Sequence, residues 1–207
     1  MSLIRFKLHE VSIGYVRNQK CATTTTLNYF SQLLFKSKSD FKPYMGYFVE
    51  RLGESSYIGR DAGYESYAKE LAECDIRIGA YRDPVEKFVS GYQHTMFGTQ
   101  GDNLWKGYYD RSLECFIENF DHFKQFQPVR DHCSTNTWKL GTDPDVYTHV
   151  FDYRDTNNVL IPLLKEITGK DVMPTKLREY GKKHEFSYPQ LKKIKEFLAE
   201  DYVNGWF

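Results

Sequence analysis

Each of three short apolar runs in this chain is followed by a stretch with apolar residues at helical spacing, which is the pattern of an α/β fold. The runs that predict strands are Val11 to Val16, Asp75 to Tyr81 and Tyr147 to Tyr153. The stretches that predict helices include Leu27 to Phe35, Tyr64 to Cys74, Asn157 to Ile167 and the segment after the capping-box pair Ser187 and Gln190. Between them, the glycine-punctuated stretch from Phe41 to Gly63 predicts a loop with one short strand near Tyr47 to Glu50.

Length, charge and cysteine usage narrow the class of protein. A chain of 207 residues is long enough for a substantial core and predicts one domain over residues 1–207. Its 28 basic and 28 acidic residues balance, so no overall field attracts nucleic acid. The N-terminus lacks the apolar core of a signal peptide and no run is long enough for a membrane span, so we expect no membrane contact. The four cysteines are scattered without a C-x-x-C pair, which predicts a reducing, cytoplasmic setting.

The segment between the first predicted strand and the first predicted helix reads RNQKCATTTT and starts at Arg17. The first N–H groups of a helix have no partner within it, and the helix dipole places partial positive charge there. Lys20 adds a full charge, and Thr23 to Thr26 add hydroxyl donors. This combination predicts a phosphate or sulfate site. A simple N-cap would need only one hydroxyl, and the lack of glycine between Gly14 and Gly46 rules out a Walker A loop.

A second informative stretch, RDPVEKFVSGYQ, follows the second predicted strand. Asp83 and Pro84 suit the N-cap and first position of a helix, and Glu86 is placed for a capping box. Arg82 would lie at the carboxyl end of the strand, with Ser90 about two turns into the helix. Because ligands of open α/β sheets bind at this edge, we expect both informative stretches there. Taken singly, Arg82 is equally explained by a salt bridge and Ser90 by a close helix contact.

Together the two stretches resemble the sulfotransferases that use 3′-phosphoadenosine 5′-phosphosulfate (PAPS), and most of all the branch with the carbohydrate and heparan sulfate O-sulfotransferases. The first loop of that family has a pattern like P-K-x-[GA]-x-[ST]-[ST], which is matched by Lys20, Ala22, Thr24 and Thr25, with Gln19 in place of proline. The second motif reads R-D-P-x-x-R-x-x-S-x-Y and is matched by Arg82, Asp83, Pro84, Ser90 and Tyr92, with Lys87 in place of the second arginine. The ending EDYVNGWF is also similar to the ending of this branch.

The resemblance implies a P-loop-kinase-like, three-layer α/β fold with a central, mostly parallel sheet flanked by helices. It implies transfer of a sulfuryl group from PAPS to a hydroxyl or amine of a small-molecule or carbohydrate acceptor, leaving the product PAP. Lys20 would be a catalytic residue that contacts the phosphosulfate, while Arg82 and Ser90 would hold the 3′-phosphate. The residues that would cradle the phosphosulfate are Cys21, Ala22, Thr23, Thr24 and Thr25. This arrangement requires no metal.

The motifs do not identify the general base that would remove the acceptor proton. Asp61, in the glycine-flanked stretch IGRDAG, is the first candidate, and Glu50, Glu54 and His94 are rivals. Asp61 is also explained more simply as a cap of the helix that follows it. The resemblance further suggests that the segment from Gln127 to Trp138 lines the acceptor site.

Two other functions share part of the pattern. A P-loop-type nucleotide or small-molecule kinase has the same strand, loop and helix, although the Walker A glycines and a clear Mg²⁺-binding aspartate motif are absent. A protein that binds PAP without catalysis would account for the unidentified base.

Histidines and cysteines add two expectations. His122, His132 and Cys133 match no standard ligand spacing, so we expect no metal site. Cys21 lies at a predicted helix start beside Lys20, and we expect its thiol to react readily with alkylating reagents.

Overall fold

The computed structural model describes residues 2–35, 57–58, 63–97, 110–175 and 185–207. The chain forms two compact units, each built from two separate stretches. Unit 1 comprises Met1–Tyr81 and Trp138–Arg178, and unit 2 comprises Arg82–Thr137 and Glu179–Phe207. A compact unit need not fold alone, so the single domain expected over residues 1–207 stays a prediction.

Unit 1 is organised around a five-stranded sheet with the strand order β3-β1-β2-β4-β5. The strands are β1 (Leu3–Leu8), β2 (Val11–Val16), β3 (Tyr57–Ile58), β4 (Ile76–Tyr81) and β5 (His149–Asp152). β4 pairs in parallel with both β2 and β5, whereas β1 runs antiparallel to both β2 and β3. The sheet is therefore mixed, with two parallel and two antiparallel pairings, and the expectation of a mostly parallel sheet holds only in part.

The first strand, β1, makes this difference because it forms a tight hairpin with β2. Leu8 pairs with Val11, so only His9 and Glu10 lie between the two strands. A connection of two residues joins antiparallel strands only, since parallel strands need a long crossover. His9 takes the left-handed backbone conformation, with φ of 54°, that is common in such turns.

Ten helices occur within the described ranges: α1 (Thr23–Leu34), α2 (Ala68–Ala72), α3 (Pro84–Phe97), α4 (Leu113–Glu118), α5 (Phe120–Phe123), α6 (Gln127–Cys133), α7 (Asn136–Leu140), α8 (Thr156–Thr168), α9 (Tyr188–Phe197) and α10 (Ala199–Val203). In this part of the chain, none of them combines the length and the apolar character that crossing a membrane would need.

Most of the predicted elements are confirmed. The predicted strands correspond to β2, β4 and β5, and the predicted helices to α1, α3, α8 and α9, where Ser187 and Gln190 form the expected capping box. The predicted helix from Tyr64 to Cys74 is instead divided into a 3₁₀ turn and α2, because Tyr67 leaves the helical region with φ of −141°. The short strand expected near Tyr47 to Glu50 lies outside the described residues.

Side chains cover both faces of the sheet in unit 1. On one face, α1 and α8 pack against alternate residues of the strands. The strands contribute Ile13, Tyr15, Ile78, Ala80 and Phe151, and the helices contribute Leu27, Tyr29, Phe30, Leu160 and Leu164. On the other face the strands carry glycines that permit close packing. A Cβ at Gly14 would lie 2.9 Å from Cys74 Sγ, and a Cβ at Gly79 would lie 2.9 Å from the ring of Tyr147. The result is an α/β unit with a mixed sheet flanked by helices.

Unit 2 is helical and has its own aromatic core, in which these side chains are buried: Phe88, Tyr92, Phe116, Phe120 and Phe123. Helices α3 and α6 approach each other closely at Gly91. A Cβ at this position would lie 2.6 Å from Cys133 Sγ and closer still to the carbonyl oxygen of His132. The backbone of one helix therefore fills the space that a side chain of the other would need.

We expect Gly91→Ala to destabilise the protein by about 1–3 kcal/mol, because the added methyl group overpacks the contact between α3 and α6. Alanine in a helix interior normally stabilises by roughly 0.5–1 kcal/mol relative to glycine, so the sign of the change is informative. Urea unfolding measures the free energy of unfolding. Lys192→Ala, at an exposed position of α9, is the control and should stay near wild type. A Gly91→Ala protein as stable as wild type would contradict the close approach.

Candidate functional site

The chain turns sharply in the β2–α1 loop, which comprises residues 17–22. Lys20 and Ala22 both adopt the left-handed conformation, with φ of 66° and 54°, while Cys21 between them does not. This conformation costs a residue with a Cβ roughly 1–2 kcal/mol. Two such residues in one loop require stabilisation by the surrounding structure, and strained residues of this kind are common at functional sites. Left-handed residues in a tight turn can direct successive N–H groups toward one point, and such concave arrangements bind anions.

The N–H groups at the start of α1 are available to a ligand. Within the described ranges, the backbone N–H groups of residues 22–25 donate to no acceptor in the protein. Thr26 is the first residue of this helix whose N–H is used, and it donates to the carbonyl oxygen of Ala22 at 3.0 Å. Consecutive unpaired donors at the positive end of a 12-residue helix form a site suited to a phosphate or sulfate group.

The four threonines at this helix start divide into two pairs. Thr23 Oγ1 donates to the carbonyl oxygen of Asn18 at 3.0 Å, and Thr26 Oγ1 donates to that of Ala22 at 3.3 Å. The hydroxyls of Thr24 and Thr25 make no hydrogen bond with any described residue. The two threonines whose hydroxyls are uncommitted are thus the two that match the sulfotransferase pattern.

Three side chains of the loop are buried, those of Asn18, Gln19 and Cys21. Gln19 is 3% exposed, and its Oε1 accepts no hydrogen bond from the described residues. Cys21 is fully buried, and its Sγ donates to the carbonyl oxygen of Gln19 at 3.5 Å. Alkylation needs an exposed thiolate, so the expectation that Cys21 reacts readily is wrong for the folded protein.

Tyr15 lies within the core beneath this loop. Burial raises the pKa of its phenol to about 12, and its Oη makes no hydrogen bond with the described residues. The neutral phenol is therefore strongly preferred in the folded state.

The loop is also tied to the neighbouring strand of the sheet. Asn18 is fully buried, and its Nδ2 donates to the carbonyl oxygen of Ala80 near the end of β4 at 3.1 Å. Since β2 and β4 are parallel, with Val16 opposite Gly79, their carboxyl ends meet at one edge of the sheet. This is the edge at which ligands of open α/β sheets bind.

Unit 2 begins with Arg82, the residue that follows β4 in the chain. Its side chain is nine-tenths buried, and its Nε donates to Glu86 Oε2 at 3.3 Å. Asp83 caps α3 as predicted, because its Oδ1 accepts from the N–H of Glu86 at 2.9 Å. The ion pair with Glu86 is the interaction that a purely structural role for Arg82 requires.

Asn136 is a residue that no sequence motif marks, yet its Nδ2 donates to the carbonyl oxygen of Arg82 at 2.8 Å.

Ser90 and Lys87 are both buried on α3 but differ in their hydrogen bonding. Lys87 Nζ donates to the carbonyl oxygen of Ser134 at 2.6 Å, which connects α3 to the segment between α6 and α7. Ser90 is 3% exposed, and its Oγ makes no hydrogen bond with the described residues. A buried hydroxyl without a partner is costly, so it marks a position where a bound group could supply one.

Three of the four candidate bases, Asp61, Glu50 and Glu54, lie outside the described residues. The fourth, His94, is exposed on α3, and its ring lies against that of His132 with centroids 4.2 Å apart. The segment proposed to line the acceptor site forms α6 and the first part of α7. No group of three or more His, Cys, Asp or Glu side chains arranged to hold a metal occurs among the described residues.

The candidate residues thus fall into two groups. The β2–α1 loop belongs to unit 1, and Arg82 and Ser90 belong to unit 2. Their expected meeting at one sheet edge stays a prediction. Comparison of the chain with protein-family models, with curated proteins and with solved structures finds no match.

We expect the free energy of unfolding to fall between pH 10 and pH 12, where tyrosines of the unfolded chain lose a proton that Tyr15 retains in the folded state. The Tyr15 contribution lost at pH 11 is about 1.4 kcal/mol relative to pH 8. Tyr15→Phe should remove this part of the loss, whereas Tyr188→Phe, at an exposed position, should not. Urea unfolding at the two pH values measures it, and equal losses in wild type and Tyr15→Phe would contradict the assignment.

We expect Ala22→Gly to stabilise the protein by about 0.5–1 kcal/mol, because glycine adopts the left-handed conformation without crowding. The control is Ala72→Gly in α2, where the same substitution in a helical residue should destabilise by a similar amount. Thermal and urea unfolding measure both changes. Destabilisation by Ala22→Gly equal to that of the control would show that residue 22 is not left-handed in solution.

Proposed function

We propose that this protein binds PAPS and transfers its sulfuryl group to a hydroxyl or amine of a small-molecule or carbohydrate acceptor. One observation carries the proposal: the four N–H groups of residues 22–25 have no acceptor within the described ranges and lie at a helix start shaped by two left-handed residues. A loop of this kind is suited to an anion with several oxygen atoms. The sulfotransferase resemblance of the same residues makes that anion a phosphosulfate.

The finer fold that we propose is the P-loop-kinase-like, three-layer arrangement. The parallel pairing of β2 with β4 and of β4 with β5 supports it, as does the position of α1 directly after the loop. Residues on both faces of the sheet are covered, as three layers require. Strand β1, antiparallel to β2, and strand β3, paired only with β1, would then be additions at one edge of the parallel part.

Arg82 and Ser90 would hold the 3′-phosphate that distinguishes PAPS from ATP. The unpartnered, buried Oγ of Ser90 fits this role, because a phosphate oxygen would accept the hydrogen bond that the described residues leave unmade. Arg82 would supply charge and a planar set of donors suited to phosphate. Its contact with Glu86 restrains the side chain and would be weakened or shared when the phosphate binds.

When bound, PAPS would supply the sulfuryl group and a phosphate leaving group. Lys20 would neutralise the negative charge that develops near the loop, and the N–H groups and hydroxyls of residues 21–25 would hold the same group in position. Both effects lower the barrier through alignment and electrostatic stabilisation. Asp61 stays the first candidate for the base, with Glu50, Glu54 and His94 as the alternatives.

Calorimetric titration of PAP, ADP and ATP into wild type and Arg82→Ala tests the proposal. We expect PAP to bind most tightly, and Arg82→Ala to weaken PAP roughly 10- to 100-fold, the cost of a charge-assisted contact with phosphate, with little effect on ADP. Lys20→Ala should weaken PAP and ADP alike. Arg5→Ala, which removes a surface arginine paired with Glu73 in unit 1, is the matched control.

Other outcomes would favour the rival functions. Preference for ATP, or equal PAP binding by wild type and Arg82→Ala, would overturn the sulfotransferase assignment and favour a kinase. PAP binding without sulfuryl transfer from PAPS to any member of a broad acceptor panel would favour a non-catalytic PAP-binding protein.

A further inference from the structure

A buried asparagine connects Arg82 to the last residues of unit 2. Asn136 is fully buried at the start of α7. Its Nδ2 donates to the carbonyl oxygen of Arg82 at 2.8 Å and to that of Trp206 at 3.3 Å. One side-chain amide thus satisfies two main-chain acceptors that are 124 positions apart in sequence, since each N–H of the amide can serve a different carbonyl. All three residues belong to unit 2.

Asn136 is itself held in place by a buried carboxylate. Asp201 is fully buried, and its two oxygens accept from the N–H of Asn136 at 2.8 Å and from the N–H of Thr137 at 2.7 Å. The N–H of Trp206 donates to the carbonyl oxygen of Asp201 at 2.9 Å. A carboxylate that accepts hydrogen bonds from two N–H groups at a helix start fixes the position and the direction of that helix start. The main chain of Asn136, from which its side chain reaches the carbonyl oxygen of Arg82, is therefore held in place.

We infer that Asn136 is a positioning residue for Arg82, and that Asp201 acts through Asn136. This inference rests on the proposed function, because it concerns the residue that would bind the 3′-phosphate. Arg82 immediately precedes the capped start of α3, and two different contacts restrain it. Asn136 restrains the main chain at the carbonyl, while Glu86 restrains the side chain at Nε. Loss of the hydrogen bond from Asn136 should make the position of the Arg82 guanidinium less defined without removing its charge.

The test compares PAP with AMP, which lacks only the 3′-phosphate. We expect Asn136→Ala to weaken PAP binding about tenfold, as the loss of a buried hydrogen bond does, and to leave AMP binding unchanged. The matched control is Asn204→Ala, because Asn204 belongs to the same C-terminal segment and bonds Thr137 and Glu200 but not Arg82. This control should leave the ratio of PAP to AMP affinity as in wild type. Calorimetry measures affinity, and circular dichroism with urea unfolding checks that each variant is folded.

A double-mutant cycle separates positioning from a general loss of structure. If Asn136 acts through Arg82, the double variant Arg82→Ala with Asn136→Ala should bind PAP no more weakly than Arg82→Ala alone. Additive losses would overturn the inference, as would an unchanged PAP to AMP ratio in Asn136→Ala. If Asn136→Ala does not fold, Asp201→Asn serves as the second variant, with a smaller loss of about threefold expected in the same ratio. No effect of Arg82→Ala on PAP would instead overturn the proposed function, and the positioning role with it.

Discussion

The parallel pairing of β2 with β4 is the constraint on which the rest of the candidate site depends. It brings the carboxyl ends of two strands to one edge of the sheet, and the buried bond from Asn18 to the carbonyl oxygen of Ala80 fixes the β2–α1 loop there. The core residues of α1 that pack on the sheet set the direction in which the helix leaves the loop. With both ends of the loop held, the backbone can sustain left-handed conformations at Lys20 and Ala22 that it would not adopt alone.

Unit 2 holds its candidate residues by a different means. Its aromatic core packs α3 against α6, and a network of buried hydrogen bonds around Asn136 and Asp201 fixes the segment at which α3 begins. A buried carboxylate and a buried amide are costly unless every partner is present, so such a network specifies one arrangement closely. In unit 1, strand pairing stabilises the left-handed backbone of the β2–α1 loop. In unit 2, buried polar groups fix the main chain at Arg82.

Local patterns predicted the elements that carry the candidate site, but they missed one strand and a buried residue whose partners are distant in sequence. The run of β-branched residues in β2, the cap at Asp83 and the capping box at Ser187 are all local signals, and each is confirmed. The mixed sheet was not predicted because β1 has an alternating sequence that was not assigned to a strand. Asn136 could not have been found locally, since its partners Arg82 and Asp201 lie 54 and 65 positions away and leave no spacing signature.

The connection between β4 and β5 has a consequence for how the chain is made. Their paired residues lie 71 positions apart, and the first stretch of unit 2, residues 82–137, is synthesised between them. Pairing across such a distance is slow, because the chain loses the conformational entropy of a long loop before stabilising contacts form. Until β5 emerges, β4 presents an open edge of apolar sequence to other nascent chains. We therefore expect the time for which this edge stays open to affect how much of the chain reaches the folded state.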